Sequence, residues 1–329
     1  MSKAAKRPRS EPQASEARAP AKLGVALGWH SLAWEELVAL VARAEALGFD
    51  TAYIDGDVSQ LAVRRETDVL DGWTATTALI ARTQRIRIAS IRLVQHWNAA
   101  HLAQVAASAE RIAPGRLHFF ASIGDRPEDR AWGLPQLRAS ERVAWLDETL
   151  DAVRALWRGE SVTRHGRHVT LEEARVRPVP PGGRLPIEVA AKGARLLAVV
   201  ARHADAWNVN WPAIPARVEA AAAELARACR AAGRPPEAIR RRLWIFTRPE
   251  PLSPSDALAE FRRWNPWFRD LSDAEVAPAL VVGKPAECRE RIAALAAELD
   301  LEMPVLDLSG LPAPRVREAL EALPAGDIR

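Results

Sequence analysis

The sequence has little cysteine and no long apolar run, and both absences narrow the class of protein. Its 329 residues include only two cysteines, Cys229 and Cys288, without a CxxC spacing, which excludes a disulfide-rich scaffold and a cysteine zinc site. No apolar run reaches the 18 residues or so that a membrane span needs, and no apolar signal core follows residue 22. Histidines and carboxylates do not recur at metal-ligand spacing. We therefore expect a cytoplasmic protein without a metal site.

Positive charge is concentrated at the start of the chain. The net charge is +4, and residues 1–22 alone contain six basic and two acidic residues. The remainder is therefore neutral overall, which is not typical of a nucleic-acid-binding domain with a basic face. Residues 1–22 are rich in Pro, Ser and Ala and have few apolar side chains to bury, so they predict a disordered basic tail. Residues 23–329 predict a single domain.

Short apolar runs alternate with helical patterns from residue 23 onward. The strands are predicted at 23–27, 51–54, 85–91, 116–122, 187–191, 205–210, 243–247 and 303–308. Strands that alternate with helices form parallel sheets with crossover helices. Eight such units predict a (β/α)8 TIM barrel, interrupted by a hairpin-like insertion at 160–184 and a second insertion at 248–284. The alternative is an open doubly wound sheet, but its GxGxxG fingerprint is absent after the first strand.

A strand-to-helix corner at residues 187–204 carries a candidate anion site. The strand ends at Lys192-Gly193, and an apolar helical pattern starts at once. The first turn of a helix presents unpaired N–H groups and favours an anion, whereas the cations Lys192 and Arg195 are disfavoured there unless an anion lies between them. We interpret the corner as a phosphate-binding loop. The alternative is an ordinary strand-to-helix corner with a solvated lysine.

Several segments together resemble the bacterial luciferase-like family. They are GFDTAYI from Gly48, ARTQRIRI from Ala81, ALWRGESV from Ala155, AAKG from Ala190 and VGKPAEC from Val282. The resemblance extends from residue 23 to about 310 and depends on the order and spacing of the segments. The family contains flavin-dependent monooxygenases and deazaflavin-dependent (coenzyme F420) oxidoreductases. The sequence is most similar to the sugar-phosphate dehydrogenase branch, which uses the deazaflavin.

The resemblance implies a TIM barrel whose C-terminal mouth holds the ring of FMN or coenzyme F420, in a homodimer. The cofactor phosphate is then bound by the loop that contains Ala191, Lys192, Gly193, Ala194 and Arg195. This is the corner where the residues themselves indicate an anion.

The resemblance also implies how the ring is supported. Ile91 and Arg92, at the end of the third strand, correspond to a pair that often forms a non-prolyl cis peptide bond beneath the ring. Gly124 follows the fourth strand and lines the other side of the ring.

The candidate catalytic residues depart from the family pattern. Many relatives have a histidine where this chain has Asp57, and Asp125 replaces a glutamate that acts as an acid in the sugar-phosphate branch. An aspartate can act as a base if burial raises its pKa, or Asp57 can cap a turn. His30 and His96 follow the first and third strands and are alternative proton-transfer residues.

Substrate features also differ from the sugar-phosphate branch. That branch has a basic residue where this chain has Pro278, so we expect a small organic substrate that is not a sugar phosphate. The chain has twelve tryptophans and one tyrosine, and aromatic walls suit an apolar or planar substrate. The predicted function is hydride transfer or monooxygenation. The rivals are a non-catalytic flavin-binding barrel and a cofactor-free assembly subunit.

Overall fold

The computed structural model describes residues 22–27, 33–54, 56, 70–124, 130 and 132–327. The predicted tail apart from Lys22 lies outside these residues, as do three of the candidate catalytic residues, His30, Asp57 and Asp125. Arg92, Gly124, the phosphate-loop residues and His96 lie within them.

Eleven strands alternate with helices along the described part of the chain. The strands are β1 Gly24–Ala26, β2 Thr51–Ile54, β3 Arg87–Leu93, β4 Leu117–Ser122, β5 Val162–His165, β6 Thr170–Ala174, β7 Ile187–Ala191, β8 Ala206–Val209, β9 Arg240–Arg248, β10 Val281–Val282 and β11 Met303–Asp307. The helices are α1 Trp34–Ala46, α2 Gly72–Arg82, α3 Ala99–Ile112, α4 Ala139–Trp157, α5 Ala194–His203, α6 Pro215–Ala231, α7 Pro254–Trp264, α8 Asp273–Val276, α9 Pro285–Glu298 and α10 Ala313–Ala322.

Eight of the strands close into a parallel barrel in the order β1-β2-β3-β4-β7-β8-β9-β11. The register between β8 and β9 places Asn208 opposite Arg242, and β11 returns to β1 with Val305 opposite Gly24. The predicted (β/α)8 barrel is confirmed, and the open sheet is wrong because no edge remains between β8 and β9.

Alternation along each strand explains the two cores. One set of side chains faces the helices and forms the large outer core. The other fills the barrel interior with an apolar column that includes Tyr53, Phe120, Val305 and, partly exposed, Ile91 and Trp244. Successive side chains of a strand point to opposite faces, so Arg242 shares the inward face of β9 with Trp244.

Strand β9 begins earlier than the sequence predicts. Residues 240–242 are three arginines, which is not typical of a buried strand. The structure buries Arg242, 3% exposed, inside the barrel, where it donates to Glu188. A long-range ion pair thus allows a charged residue to occupy a buried strand position.

The first insertion is the predicted hairpin. Strands β5 and β6 pair antiparallel, and the tip between them is held against α4. Glu148 of α4 accepts the backbone N–H groups of His168 and Val169 at 3.0 and 2.9 Å. Arg167 donates to Glu141 at 2.8 Å.

The second insertion is mostly helical. It contains α7 and α8, and β10 adds to β9 in parallel. A separate apolar cluster forms here from Phe246, Phe261, Phe268, Leu271 and Val276. None of the described helices is both long and apolar enough to cross a bilayer.

Candidate functional site

The carboxyl ends of the barrel strands meet at one mouth, which is where TIM-barrel active sites lie. The predicted phosphate loop joins β7 to α5 at this mouth. Gly193 is the residue before α5, with φ 83° and ψ 146°, and no side chain caps it. A positive φ is readily adopted only by glycine. The following residues, Ala194 and Arg195, are exposed, so the first-turn N–H groups of α5 point toward the solvent side of the mouth.

Lys192 connects this loop to the second insertion. Its Nζ lies 5.2 Å from the ring centroid of Trp211 and 5.2 Å from that of Phe268. Trp211 follows β8, and Phe268 belongs to the insertion, so aromatic faces hold the ammonium group at the mouth. The guanidinium of Arg217 approaches the same Trp211 ring at 5.2 Å. The loop between β7 and α5 therefore combines a basic side chain with neighbouring aromatic rings.

The Ile91–Arg92 pair does not have the cis geometry that the resemblance suggests. Within the described residues the only cis peptide bond is Arg177–Pro178. The Arg92 side chain points away from the barrel interior, because it alternates with Ile91. It is 2% exposed, bonds to Ser90 and stacks on Trp73 with its guanidinium 5.0 Å from the ring centroid. Its side chain therefore belongs to the wall between β3 and α2.

Gly124 lies where the ends of β3 and β4 meet. A Cβ at this position would lie 2.8 Å from Nε2 of Gln95 and 3.0 Å from a methyl group of Leu93. The absence of a side chain thus allows the loop after β4 to contact the loop after β3. Gly124 thus lies at the mouth, and its contact with the ring of a cofactor stays a prediction.

His96 faces a different space from the phosphate loop. It lines a cavity of about 320 Å³ that is bounded by residues 95–99 after β3, by Trp145 of α4 and by residues 168–170 of the hairpin tip. We call this cavity the side pocket. None of the residues at the ends of β7, β8, β9 or β11 contributes to it, so the structure places His96 beside the mouth and away from Lys192.

Trp244 is a candidate functional residue that the sequence did not single out. Its ring lies in the barrel interior, 5.3 Å from that of Tyr53. Its Nε1 atom is buried without a hydrogen-bond partner. A buried N–H without a partner is costly, so it fits an acceptor oxygen of a bound molecule. A tryptophan on a strand carries no local signal of this role.

A charged network fills the barrel interior next to this tryptophan. Glu188 of β7 accepts from Tyr53 at 2.9 Å, from Asn208 at 2.7 Å and from Arg242 at 2.5 Å. His118 of β4 lies 2.5 Å from both Glu188 and Arg242. Sequence reasoning missed the network because its members come from five strands.

The network holds Glu188 ionised and His118 neutral. Burial by itself raises the pKa of the Glu188 carboxyl, but Arg242 and His118 outweigh burial and hold the pKa well below its usual value. Burial lowers the pKa of the His118 imidazole, and the nearby Arg242 lowers it further. With Glu302 3.0 Å from Arg242, the interior contains a paired, fixed set of charges. Among the described residues no three metal-ligating side chains come together.

The chain matches the family described as luciferase-like monooxygenase over residues 17–249. It belongs to this family.

Two curated relatives are F420-dependent glucose-6-phosphate dehydrogenases. The protein from Mycobacterium avium (strain 104) is 32% identical over 190 residues, which cover 56% of this chain and only 55% of that relative. The protein from Mycolicibacterium fortuitum is 30% identical over 260 residues, 74% of each chain. The chain is thereby an oxidoreductase of the family.

The fold is also that of a solved F420-dependent secondary alcohol dehydrogenase in complex with an F420–acetone adduct. The TM-score is 0.81 at 17% identity, and the match covers 94% of this chain and 100% of that one. This likeness concerns the fold. The family and the barrel predicted from the sequence are both confirmed.

Proposed function

We propose that the chain transfers a hydride between coenzyme F420 and a small alcohol or carbonyl compound at the mouth of the barrel. The observation that supports this proposal best is the uncapped, exposed first turn of α5 beside Gly193 and Lys192. It offers backbone N–H groups and a cation to a phosphate. The relatives that are F420-dependent favour the deazaflavin over FMN. A luciferase-like monooxygenase with FMN is the alternative, since the family description names that activity.

The residues at the mouth fit such a cofactor. Ala191 ends β7, and Lys192 and Gly193 follow it directly into α5. Gly193 has no neighbouring atom within 4 Å of where a Cβ would lie, so a phosphate can approach its backbone closely. When bound, the deazaflavin supplies the hydride acceptor or donor.

The chain's own residues then bind and orient the substrate. Trp244 donates its unpartnered Nε1–H to the substrate oxygen, which fixes the carbon next to it. Phe246 and Phe268 keep an apolar boundary on the side of the second insertion and exclude water. The proton of the substrate hydroxyl passes to Asp57, Asp125 or His30, which remain proposals from the sequence.

A substrate without a phosphate fits the second insertion best. Pro278 is exposed there, at the position where the sugar-phosphate branch has a basic residue. Two of the nearby arginines are already paired with carboxylates: Arg217 with Glu275, and Arg262 with Asp273 at 2.7 Å. We therefore propose an uncharged small molecule as the substrate. We also propose a homodimer and a cytoplasmic location.

Two non-catalytic functions make different predictions. A flavin-binding barrel without catalysis would bind the cofactor but turn over no substrate. A cofactor-free assembly subunit would bind neither cofactor. The unpartnered Trp244 N–H favours catalysis over both, because neither function needs a polar group buried beneath the mouth.

The test is cofactor binding, measured by quenching of F420 and FMN fluorescence. Wild type is expected to bind F420 with a micromolar Kd. Lys192→Glu replaces an attractive contact with the phosphate by a repulsive one and should weaken binding by about 100-fold. Arg111→Glu is the matched control, because Arg111 is an exposed cation in the last turn of α3, at the other end of the barrel.

Each result of this test has a separate meaning. Tight binding of FMN alone would favour the monooxygenase. Binding of neither cofactor would refute the proposal. If F420 binds and small secondary alcohols are then oxidised, the hydride-transfer function is supported, and binding without turnover of any alcohol or ketone would favour the non-catalytic barrel.

A further inference from the structure

The side pocket is a built cavity outside the barrel mouth. Its volume of about 320 Å³ lies at the lower end of the range for small-molecule sites. The hairpin tip that forms one wall is held by the two backbone hydrogen bonds to Glu148. The opposite wall is the start of α3. Both walls are thus parts of the folded barrel and its hairpin.

One wall of the pocket carries a polar atom that the protein does not satisfy. His168 stacks on Trp145 with ring centroids 5.4 Å apart and planes 10° apart. The stack fixes the imidazole plane. Its Nε2 atom is buried and lacks a hydrogen-bond partner. A ligand that supplies this hydrogen bond would recover the cost of burying the atom.

The charges around the pocket select the kind of ligand. None of the side chains that line it is Lys, Arg, Asp or Glu. The first turn of α3 is not free to bind an anion, because the Asn98 side chain already accepts the N–H groups of Ala100 and His101 at 2.9 and 3.1 Å. The carboxylate of Glu148, which accepts the N–H groups of His168 and Val169, opposes a further negative charge. An ion would be desolvated here without a counter-charge.

The shape of the walls selects a flat molecule. Trp97, Trp145 and His168 present three planar rings to the cavity, and aromatic walls bind planar rings through stacked or edge contacts. We infer that the side pocket binds a small, uncharged, planar molecule with a ring nitrogen or amide that pairs with Nε2 of His168. This inference does not depend on which cofactor the mouth holds.

The experiment uses nicotinamide, which is uncharged, planar and carries both an amide and a ring nitrogen. Saturation-transfer NMR and calorimetry on the full chain should show saturable binding with a Kd of about 1 mM, as expected for so small a ligand. Nicotinate, which is an anion, and cyclohexanecarboxamide, which is not planar, should bind at least tenfold more weakly.

Variants locate the binding. His168→Phe keeps a ring on Trp145 but removes the nitrogen, and it should weaken nicotinamide binding by about tenfold. His165→Phe is the matched control, because His165 lies on the same hairpin but outside the pocket and is exposed; it should bind like wild type. Thr170→Trp should abolish binding by filling the cavity from its exposed rim without disturbing the core.

Three outcomes would overturn the inference. They are no saturable binding of nicotinamide, unchanged binding by a folded His168→Phe variant, and competition between nicotinamide and F420 or FMN. Competition would mean that the nicotinamide occupies the mouth. If neither F420 nor FMN binds but nicotinamide still does, the proposed function is refuted and the inference about the side pocket is retained.

Discussion

Replacing Glu188 by glutamine removes one charge from the barrel interior and keeps the side-chain volume. Glu188 is 1% exposed and Arg242 is 3% exposed. Without the carboxylate, the guanidinium stays buried, with Glu302 at 3.0 Å as its remaining carboxylate partner. Breaking a buried ion pair by removing one partner costs about 3–5 kcal/mol. Because Glu302 still neutralises part of the charge, we expect Glu188→Gln to lose about 3 kcal/mol of stability.

Urea denaturation followed by tryptophan fluorescence measures this loss. The midpoint should fall with an unchanged slope, since the surface exposed on unfolding is the same. The double variant Glu188→Gln with Arg242→Met should recover part of the loss, because the uncompensated charge is then gone. Glu321→Gln, in the exposed pair with Arg43, should leave the midpoint unchanged.

Two results would refute the reasoning. One is a loss of less than about 1 kcal/mol in Glu188→Gln, since removing one of the two carboxylate partners of a buried guanidinium should cost more than that. The other is a double variant in which the two losses simply add. Either result would mean that water reaches the barrel interior and solvates the guanidinium.

Three further predictions concern pH, packing and the mouth. The pKa of His118 is lowered by burial and by the neighbouring guanidinium, from an ordinary value of 6.5. As the pH falls, the unfolded chain therefore binds a proton at His118 before the folded chain does, and stability should drop below about pH 6.5. The difference between the urea midpoints at pH 7.5 and pH 5.5 should be smaller in His118→Gln than in wild type. Equal differences in the two proteins would contradict this cause. Gly124→Ala should lower the free energy of unfolding by about 1–2 kcal/mol more than Gly233→Ala. Both glycines have a positive φ, but only a Cβ at position 124 would collide with Gln95. Equal falls in Tm for the two variants would argue against this contact. Trp244→Phe should lower kcat/KM about tenfold with no loss of hydrogen bonding in the folded protein; a large fall in Tm with unchanged kcat/KM would indicate that the indole is only structural.

Much of the fold could be predicted because it depends on local patterns. The run of apolar strands and amphipathic helices predicted all eight barrel strands, and Gly and Pro residues marked the hairpin insertion. The start of β9 was missed, because Arg240 and its two neighbours have no local preference for a buried strand. The helical second insertion was also left without assigned elements, since its Pro and Trp residues follow no clear period.

The candidate site was predictable only where neighbours in sequence are also neighbours in space. Lys192 and Gly193 lie next to each other, so the strand-to-helix corner was visible from the chain alone. The aromatic faces that hold Lys192 come from Trp211 and Phe268, which are distant in sequence. His96 was expected at the mouth, and the structure places it in the side pocket, which His168 of the hairpin also lines. That arrangement depends on how the hairpin packs on α4.

The sequence by itself determined the eight barrel strands and the strand-to-helix corner at Lys192 and Gly193, because hydrogen bonding and side-chain periodicity act over a few residues. The order of its segments also indicated the family. Only the tertiary structure decided which side chains share the barrel interior. Glu188 and Arg242 are 54 residues apart and meet because the barrel closes between β8 and β9. The buried N–H of Trp244 and the imidazole of His168 likewise have no sequence signal. Whether a polar atom finds a partner depends on every strand and helix around it.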